Sequence, residues 1–270
     1  MKAMTSLSLA VALATCAGSA AAHAPQPLRL PSGSGASAAY GEIATPSGYE
    51  YVQFTDTGSG IGQLDMLYPA GGFAEDDFSR EYAIAYPSGM LAAIDTSTAA
   101  TTPIGATGLG GVLSGPRWDP VTRQSFVMTT DGSGSTLYRI DLASGATTPV
   151  GSTEGMAIVA IAIDPGGLMY GVDVLADTLV SVDTVTGTAF ALGALGAELP
   201  TTDAAMDTDP VSGLIYYVGY DSVAGVMEMY VLDPETGQAV ATGPIADTPV
   251  SAFALARVGD VVFADGFDGP

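Results

Sequence analysis

The sequence predicts an all-β protein built from repeated four-stranded units, and three observations support this. Short apolar runs alternate with turns, and the 35 Gly and 17 Pro residues show no three-residue period. Two turn motifs that contain Asp recur at regular intervals. Between these turns the chain reads as short strands, which makes strongly helical classes a poor match. The 270 residues are 47% hydrophobic, which is ample for a sizeable core.

The two motifs keep nearly the same spacing. The first is an Asp, usually followed by Pro, before an apolar strand; it recurs every 42 to 45 residues, at Asp77, Asp119, Asp164 and Asp209. The second is an apolar residue plus Asp before a turn that ends near Gly; it recurs every 42 to 50 residues, at Asp95, Asp141, Asp183 and Asp233. Such a period indicates a structural repeat. Because an Asp that opens a tight turn accepts hydrogen bonds from backbone N–H groups, a structural role explains these residues.

Each repeat contains four short strands, most clearly in the third repeat. There the predicted strands are 158–163, 168–172, 178–182 and 189–192. The first is almost entirely apolar, as expected of a strand that is buried on both faces. Four-stranded antiparallel units of this length are typical of a β-propeller, in which the sheets, or blades, pack radially around an axis.

The ends of the chain predict how the ring closes. Four repeats are complete, and a fifth begins with segments 251–256 and 261–263 but lacks its outer strands. Segment 49–54, at the other end, is a strand without a repeat of its own. Joining these segments in one composite blade would cover the edges that an open array exposes. We therefore predict five blades, with an incomplete ring or a six-bladed ring as alternatives.

The N-terminus has the features of a secretory signal peptide. Lys2, the apolar segment 7–14 and an Ala-x-Ala site predict cleavage after Ala22. The protein would then be extracellular, periplasmic or on the cell surface. An alternative export route is open, because segment 13–16 resembles a lipobox in which Cys16 would be lipidated. No other segment reaches the ~18 continuous apolar residues of a membrane span.

The predicted domain organisation has four parts. It consists of a signal peptide at 1–22, a flexible leader at 23–48, a propeller at 49–265 and a C-terminal tail at 266–270. The leader is predicted from its Pro, Ser, Gly and Ala content.

Composition excludes several functions. With 29 Asp and Glu against 7 Lys and Arg, the formal charge is −22, which repels nucleic acids and anionic lipids. The single Lys, Cys and His residues are Lys2, Cys16 and His23. An exported chain would keep at most His23, in the leader, which excludes Ser-His-Asp catalysis, Cys or Lys nucleophiles and Cys/His zinc sites. Carboxylate chemistry remains, either paired acids that cleave glycosides or oxygen ligands for Ca²⁺.

Acidic clusters supply the candidate metal ligands. The spacing of Asp207 and Asp209 is like the start of a Ca²⁺ loop, although the Gly and Glu expected later in such a loop are missing. Asp203, Asp207 and Asp209 are therefore the candidate metal ligands, with ordinary blade turns as the alternative. The cluster 75–77 is interpreted as a solvated loop. Apart from Ca²⁺, no cofactor is predicted, and no catalytic residue is assigned.

The motif apolar-Asp-x-x-Thr-Gly, present at 182–187 and 232–237, resembles the repeats of exported bacterial propellers. These include quinoprotein dehydrogenases and the Tyr-Val-Thr-Asn type. Quinoprotein repeats dock adjacent blades with a Trp after the Gly, but this chain has Phe190 and Val240 there, which argues against a quinone. Calcium-dependent lactonases are similar in outline, but their usual ligands include Asn, which this chain lacks. Segment 263–268, Phe-Ala-Asp-Gly-Phe-Asp, resembles a C-terminal tag of exported Gram-negative proteins and implies sorting or surface placement.

These observations favour a secreted or surface-associated acidic propeller that acts as a binding or interaction module. A protein or glycan partner, no nucleic acid, no transmembrane span and a monomeric state are expected. The alternative is a carboxylate-based or Ca²⁺-dependent hydrolase or lyase that acts in the propeller channel. Two acids about 5 to 10 Å apart in that channel would favour the enzyme.

Overall fold

The computed structural model describes residues 38–54, 59–75, 77–209 and 212–256. These residues form twenty strands in five four-stranded antiparallel sheets, and the described part of the chain contains no helix. Consequently, none of its elements is a helix long and apolar enough to cross a membrane. The innermost strands of the sheets contact one another in cyclic order. The predicted five-bladed β-propeller is confirmed.

The blades follow one another along the chain. Blade 1 consists of β1 (Ala38–Thr45), β2 (Gly48–Phe54) and β3 (Ser59–Leu64), together with the inner strand β20 (Val250–Ala256). Blade 2 consists of β4 (Leu67–Ala74), β5 (Asp77–Tyr86), β6 (Met90–Asp95) and β7 (Thr101–Ala106). Blade 3 consists of β8 (Val112–Asp119), β9 (Gln124–Thr130), β10 (Gly134–Ile140) and β11 (Thr147–Glu154). Blade 4 consists of β12 (Ile158–Ile163), β13 (Met169–Asp173), β14 (Thr178–Val182) and β15 (Ala189–Ala194). Blade 5 consists of β16 (Thr202–Thr208), β17 (Ile215–Asp221), β18 (Val226–Leu232) and β19 (Ala239–Ala246).

The ring closes through a composite blade, as predicted, but its second strand differs from the prediction. β20 pairs with β1, and β1 pairs with β2, so the N-terminal segment supplies three strands of blade 1. β1 occupies the place expected for segment 261–263, which lies outside the described residues. Residues 38–48 were also wrongly predicted to belong to the leader. Their small residues resemble a linker, but pairing on both sides buries most of β1.

The strand and turn predictions within the repeats are confirmed. The third repeat corresponds to blade 4, and its inner strand β12 is buried at all six positions. The turn aspartates act as expected: Asp183 Oδ1 accepts hydrogen bonds from the backbone N–H groups of Val185 at 2.7 Å and Thr186 at 3.1 Å. These bonds stabilise the carboxylate and lower the pKa of Asp183. The predicted signal peptide and the segment 266–270 lie outside the described residues.

Adjacent blades dock through a glycine in the outer strand of one blade and the Asp turn of the next. Gly151 in β11 lies so close to the turn of blade 4 that a Cβ there would overlap the Thr186 carbonyl oxygen. Three further outer-strand glycines receive the corresponding turns of blades 2, 3 and 5: Gly62, Gly105 and Gly193. This backbone contact replaces a docking Trp, and Phe190 and Val240 are instead 58% and 63% exposed.

Candidate functional site

The propeller axis is filled by Arg117, which lies on inner strand β8 and is almost completely buried. Its Nε donates to the carbonyl oxygens of Met206 at 2.7 Å and Ile161 at 3.1 Å. Its Nη groups donate to the carbonyls of Pro116 at 2.9 Å and Phe253 at 3.2 Å, and to that of Gly71. One guanidinium therefore bonds to a carbonyl from the inner strand of every blade. The planar, multi-donor geometry of Arg suits this role, which a Lys could not fill.

Two carboxylates lie near this guanidinium. Asp207 Oδ1 is 3.7 Å from Arg117 Nε, and its carboxylate also accepts bonds from the backbone N–H groups of Leu255 and Thr208. Glu81 is fully buried, and burial raises its pKa to about 8, although the Tyr51 hydroxyl and the Arg117 charge act in the opposite direction. Beside Arg117 remains a cavity of about 10 Å³, which is the space of roughly one water.

The three candidate metal ligands have separate surroundings. Asp207 faces Arg117, whereas Asp203 is exposed and has a left-handed backbone with φ 48°. Asp209 is buried at the first turn of blade 5, where Oδ1 accepts a bond from Ser212 N at 3.2 Å. Among the described residues, no three Asp, Glu, His or Cys side chains form a group that could hold a metal ion. The Ca²⁺ assignment stays a prediction.

A cleft of about 570 Å³ lies between blades 2 and 3, away from the axis. Blade 2 lines it with Ala74, Glu75, Asp77 and Tyr82. The lining from blade 3 includes Trp118, Arg123, Gln124, Ser125, Arg139 and Asp141. The volume is within the range of small-molecule sites, about 300 to 1,000 Å³. The cleft also contains the single Trp of the chain and two of its scarce Arg residues.

The first turn of blade 3 builds the centre of this cleft. Trp118 immediately precedes the turn, which Asp119 holds by accepting bonds from Val121 N at 2.9 Å and Thr122 N at 3.2 Å. Arg123 ends the turn in a left-handed conformation, with φ 56°. The chain thus reverses, and the Arg123 guanidinium carbon lies 5.9 Å from the centroid of the Trp118 ring. At this distance a cation–π attraction holds Arg123 next to the ring.

Polar groups in the cleft differ in whether they already have partners. Arg123 Nη2 donates to Glu75 Oε1 at 2.7 Å, in an exposed ion pair. Ser125 is buried, and its Oγ has no hydrogen-bond partner among the described residues. In the sheet register, Ser125 lies directly between Trp118 and Ile140, which also line the cleft. A buried hydroxyl without a partner is costly, so it marks a place where a ligand or water would be stabilising.

The cluster at 75–77 is only partly a solvated loop. Glu75 has φ 54° and pairs with Arg123 across the blades, whereas Asp77 Oδ1 accepts a bond from Ser79 N at 3.0 Å. Asp76 lies outside the described residues. Sequence reasoning missed the contributions of Arg117 and Trp118. The available signal was an Arg within an apolar inner strand and a lone Trp before an Asp-Pro turn.

No protein-family model and no curated protein sequence matches the chain. Solved structures with a similar fold include a chain from a nidogen/laminin complex, at 12% identity over 77% of this chain and 77% of that chain, with a TM-score of 0.55. TolB from Acinetobacter baumannii matches at 10% identity over 82% of this chain and 66% of its own, with a TM-score of 0.50. A protein of unknown function from Bacteroides thetaiotaomicron matches at 16% identity and a TM-score of 0.47, over 80% of this chain and 57% of its own. The similarities with TM-scores of 0.50 and 0.55 show the propeller fold alone.

Proposed function

We propose that this protein is an exported, acidic binding module that holds its partner in the cleft between blades 2 and 3. The observation that carries the proposal is the combination of Trp118 and Tyr82, both half-buried, with charged and amide side chains in one cleft of about 570 Å³. Aromatic faces supply contact area, and surrounding polar groups fix the orientation of a ligand. Cationic side chains are scarce in this chain, with 7 Lys and Arg against 29 Asp and Glu, yet Arg123 and Arg139 both line the cleft.

The filled axis supports a ligand site outside the channel. Arg117 occupies the axis, and the adjacent cavity of about 10 Å³ has no room for a sugar ring or a peptide. Asp207 lies against Arg117 and accepts backbone bonds, and Glu81 Oε2 accepts a bond from the Tyr51 hydroxyl, whereas Glu81 Oε1 is buried without a hydrogen-bond partner among the described residues. The channel therefore gives little support to the carboxylate enzyme that the sequence left as an alternative.

The fold is compatible with partner binding. The similar chain with a TM-score of 0.55 belongs to a nidogen/laminin complex, so a propeller of this shape occurs in a complex of two proteins. Export is part of the proposal and is supported by the sequence features of residues 1–22. Release from the membrane that is unchanged by Cys16→Ser would favour a freely secreted protein over a lipoprotein.

The test is retention of a ligand by the cleft. Purified protein is exposed to an oligosaccharide array and a displayed peptide library, and hits are measured again with Trp118→Ala and Tyr82→Ala. Binding that both variants weaken by about tenfold supports the proposal, because each removes an aromatic contact. Phe190→Ala is the matched control, since Phe190 is an exposed aromatic residue on blade 4. Hits that depend on Phe190 but not on Trp118 or Tyr82 would place the binding surface elsewhere.

A further inference from the structure

The carboxylates that line the cleft already have partners. Glu75 pairs with Arg123 at 2.7 Å. Asp77 accepts bonds from Ser79 and lies 3.6 Å from Arg80. Asp141 accepts bonds from Ala143 N at 2.9 Å and from the Ser144 hydroxyl at 2.6 Å. The negative charges of the cleft are therefore largely used in holding its own turns.

Arg139 is the charged residue of the cleft without such a partner. It is exposed and forms no ion pair with another described residue. Its neighbour across the β10–β11 ladder is Thr148, which also lines the cleft. A free guanidinium presents several donors in one plane, which match a carboxylate in a bidentate manner. Since the chain as a whole repels anions, a bound anion would depend on a local cation such as this one.

The remaining groups fit a ligand with many hydroxyls. The Ser125 Oγ is buried without a partner, and the exposed Gln124 amide offers both a donor and an acceptor. A sugar hydroxyl can accept a bond from a guanidinium or amide, and it can donate one to the lone pairs that Glu75 or Asp141 still has beside its present partners. The apolar face of a sugar ring can pack on Trp118 or Tyr82. A peptide segment offers far fewer hydroxyls for this mixed set of donors and acceptors.

We propose that the cleft binds an acidic saccharide, with a uronate carboxylate on Arg139 and a sugar ring against Trp118 or Tyr82. This inference rests on the proposed function, because it specifies the ligand class of the same cleft. Arg123 is held by Glu75 and the Trp118 ring, so its part is to support the aromatic face. Arg139 instead selects the acidic sugar over its neutral counterpart.

The test uses a matched pair of probes: a uronic acid trisaccharide and the same trisaccharide with each carboxyl group reduced to an alcohol. Calorimetric titration of the purified protein is expected to give a Kd about tenfold lower for the acidic probe, as one charge-assisted hydrogen-bond pair provides. Arg139→Gln should abolish this preference, because it should weaken binding of the acidic probe about tenfold more than binding of the neutral probe. Trp118→Ala should raise the Kd for both probes by about tenfold.

Two controls distinguish specific recognition from a general effect of charge and from a loss of folding. Arg80→Gln removes the same charge from an exposed Arg that lies beside Asp77 but outside the cleft lining, and it should reduce the preference much less than Arg139→Gln does. Because Trp118 is half-buried, the unfolding midpoint of its variant is measured as well, while the exposed Arg139 variant keeps the test independent of folding.

Equal binding of both probes, or a preference that survives Arg139→Gln, would overturn the inference. Binding of peptides alone that depends on Trp118 would refute the saccharide but keep the proposed function, whereas no cleft-dependent binding of either class would refute both.

Discussion

The seam between blades 1 and 2, named the closure seam because it joins the composite blade that closes the ring to its neighbour, differs in chemistry from the seam between blades 4 and 5. In the closure seam, Tyr51 of blade 1 donates to Glu81 of blade 2 at 2.6 Å, and Tyr68 N of blade 2 donates to Glu42 of blade 1 at 3.0 Å. Both glutamates are buried, with exposures of 1% or less. The seam between blades 4 and 5 is instead filled by apolar side chains such as Leu179 and Met206.

The comparison shows that the two seams share the same backbone contact but bury different kinds of side chain. Both seams have the contact between an outer-strand glycine and an Asp turn, through Gly62 in one and Gly193 in the other. Further inside, the closure seam buries ionisable groups, and burial raises the pKa of both Glu42 and Glu81 to about 8. The stability of the closure seam should therefore depend on pH, whereas that of the apolar seam should not.

Replacing Arg117 should have the largest effect on the free energy of unfolding. Arg117→Ala leaves carbonyl groups of all five inner strands without their donor and leaves the partly buried Asp207 without its counter-charge. We expect a loss of about 3 to 5 kcal/mol in the free energy of unfolding, measured by urea denaturation. Arg117→Lys should recover only part of this loss. A loss below about 1 kcal/mol, the usual value for an exposed ion pair, would contradict the described role of Arg117.

A cavity in the apolar seam between blades 4 and 5 should lower the free energy of unfolding nearly as much, and the loss should not depend on pH. Leu179→Ala removes a fully buried side chain and leaves a cavity between blades 4 and 5. The expected loss is about 3 kcal/mol, within the range for buried Leu→Ala changes. Urea denaturation at pH 5 and pH 8 should give the same difference from the unmodified protein. A loss that changes between these pH values would show that this seam is coupled to the ionisable groups.

Replacing the glycine of the shared backbone contact should cause a smaller loss of stability, and the loss should differ between the two seams. Gly193→Ala places a Cβ on the Thr236 carbonyl oxygen, and overpacking of this kind costs about 2 kcal/mol. Gly62→Ala should cost less, because its nearest neighbour, the Thr98 carbonyl oxygen, would be 2.9 Å away. Thermal unfolding measures both variants. Gly110→Ala is the control, since a Cβ there meets nothing within 4 Å, and a loss in this control would point to a backbone effect instead.

The free energy of unfolding should also change gradually with pH, because two buried glutamates titrate. The pKa of Glu42 and Glu81 is about 8 in the folded protein, above the value of about 4.3 in the unfolded chain, so the folded state binds more protons between these values. Their contribution is fully present below about pH 4 and is lost as the pH rises from there through 8, at about 1.4 kcal/mol per pH unit for each glutamate. Turn aspartates with a lowered pKa, such as Asp183, act in the opposite sense at lower pH.

A double variant isolates this effect. Combining Glu42→Gln with Glu81→Gln keeps the side-chain shapes but removes both titrating groups. The fall in the free energy of unfolding between pH 5 and pH 8 should then become shallow, and the Leu179→Ala protein should retain the steep fall. An equally steep fall in the double variant would assign the pH dependence to other groups.

Much of the ring was predictable because its signals are local. Turns such as the one at Asp183 are built from neighbouring residues, and the strands of blade 4 follow from apolar runs bounded by these turns. β1 was missed because its burial comes from pairing with β20, which is more than 200 residues away along the chain. Its own residues, Ala-Ala-Tyr-Gly-Glu-Ile-Ala-Thr, carry little of that information.

The cleft and the axis were less predictable, because distant segments form them. Trp118 was notable as a single Trp, but its contact with Arg123 depends on the left-handed end of the turn. The pairing of Glu75 with Arg123 joins residues of two blades. Likewise, nothing near Arg117 in the sequence indicates that its guanidinium bonds to five separate strands.

The sequence by itself determined the repeat and the Asp turns, and it favoured five blades over an incomplete or six-bladed ring. These properties depend on composition and on contacts within a few residues, where residue type and spacing are sufficient. Tertiary structure alone decided which acids are buried, where Arg117 lies and which side chains share the cleft between blades 2 and 3. These depend on how five similar blades are brought together, since burial and charge pairing across a seam are properties of two segments and not of either one.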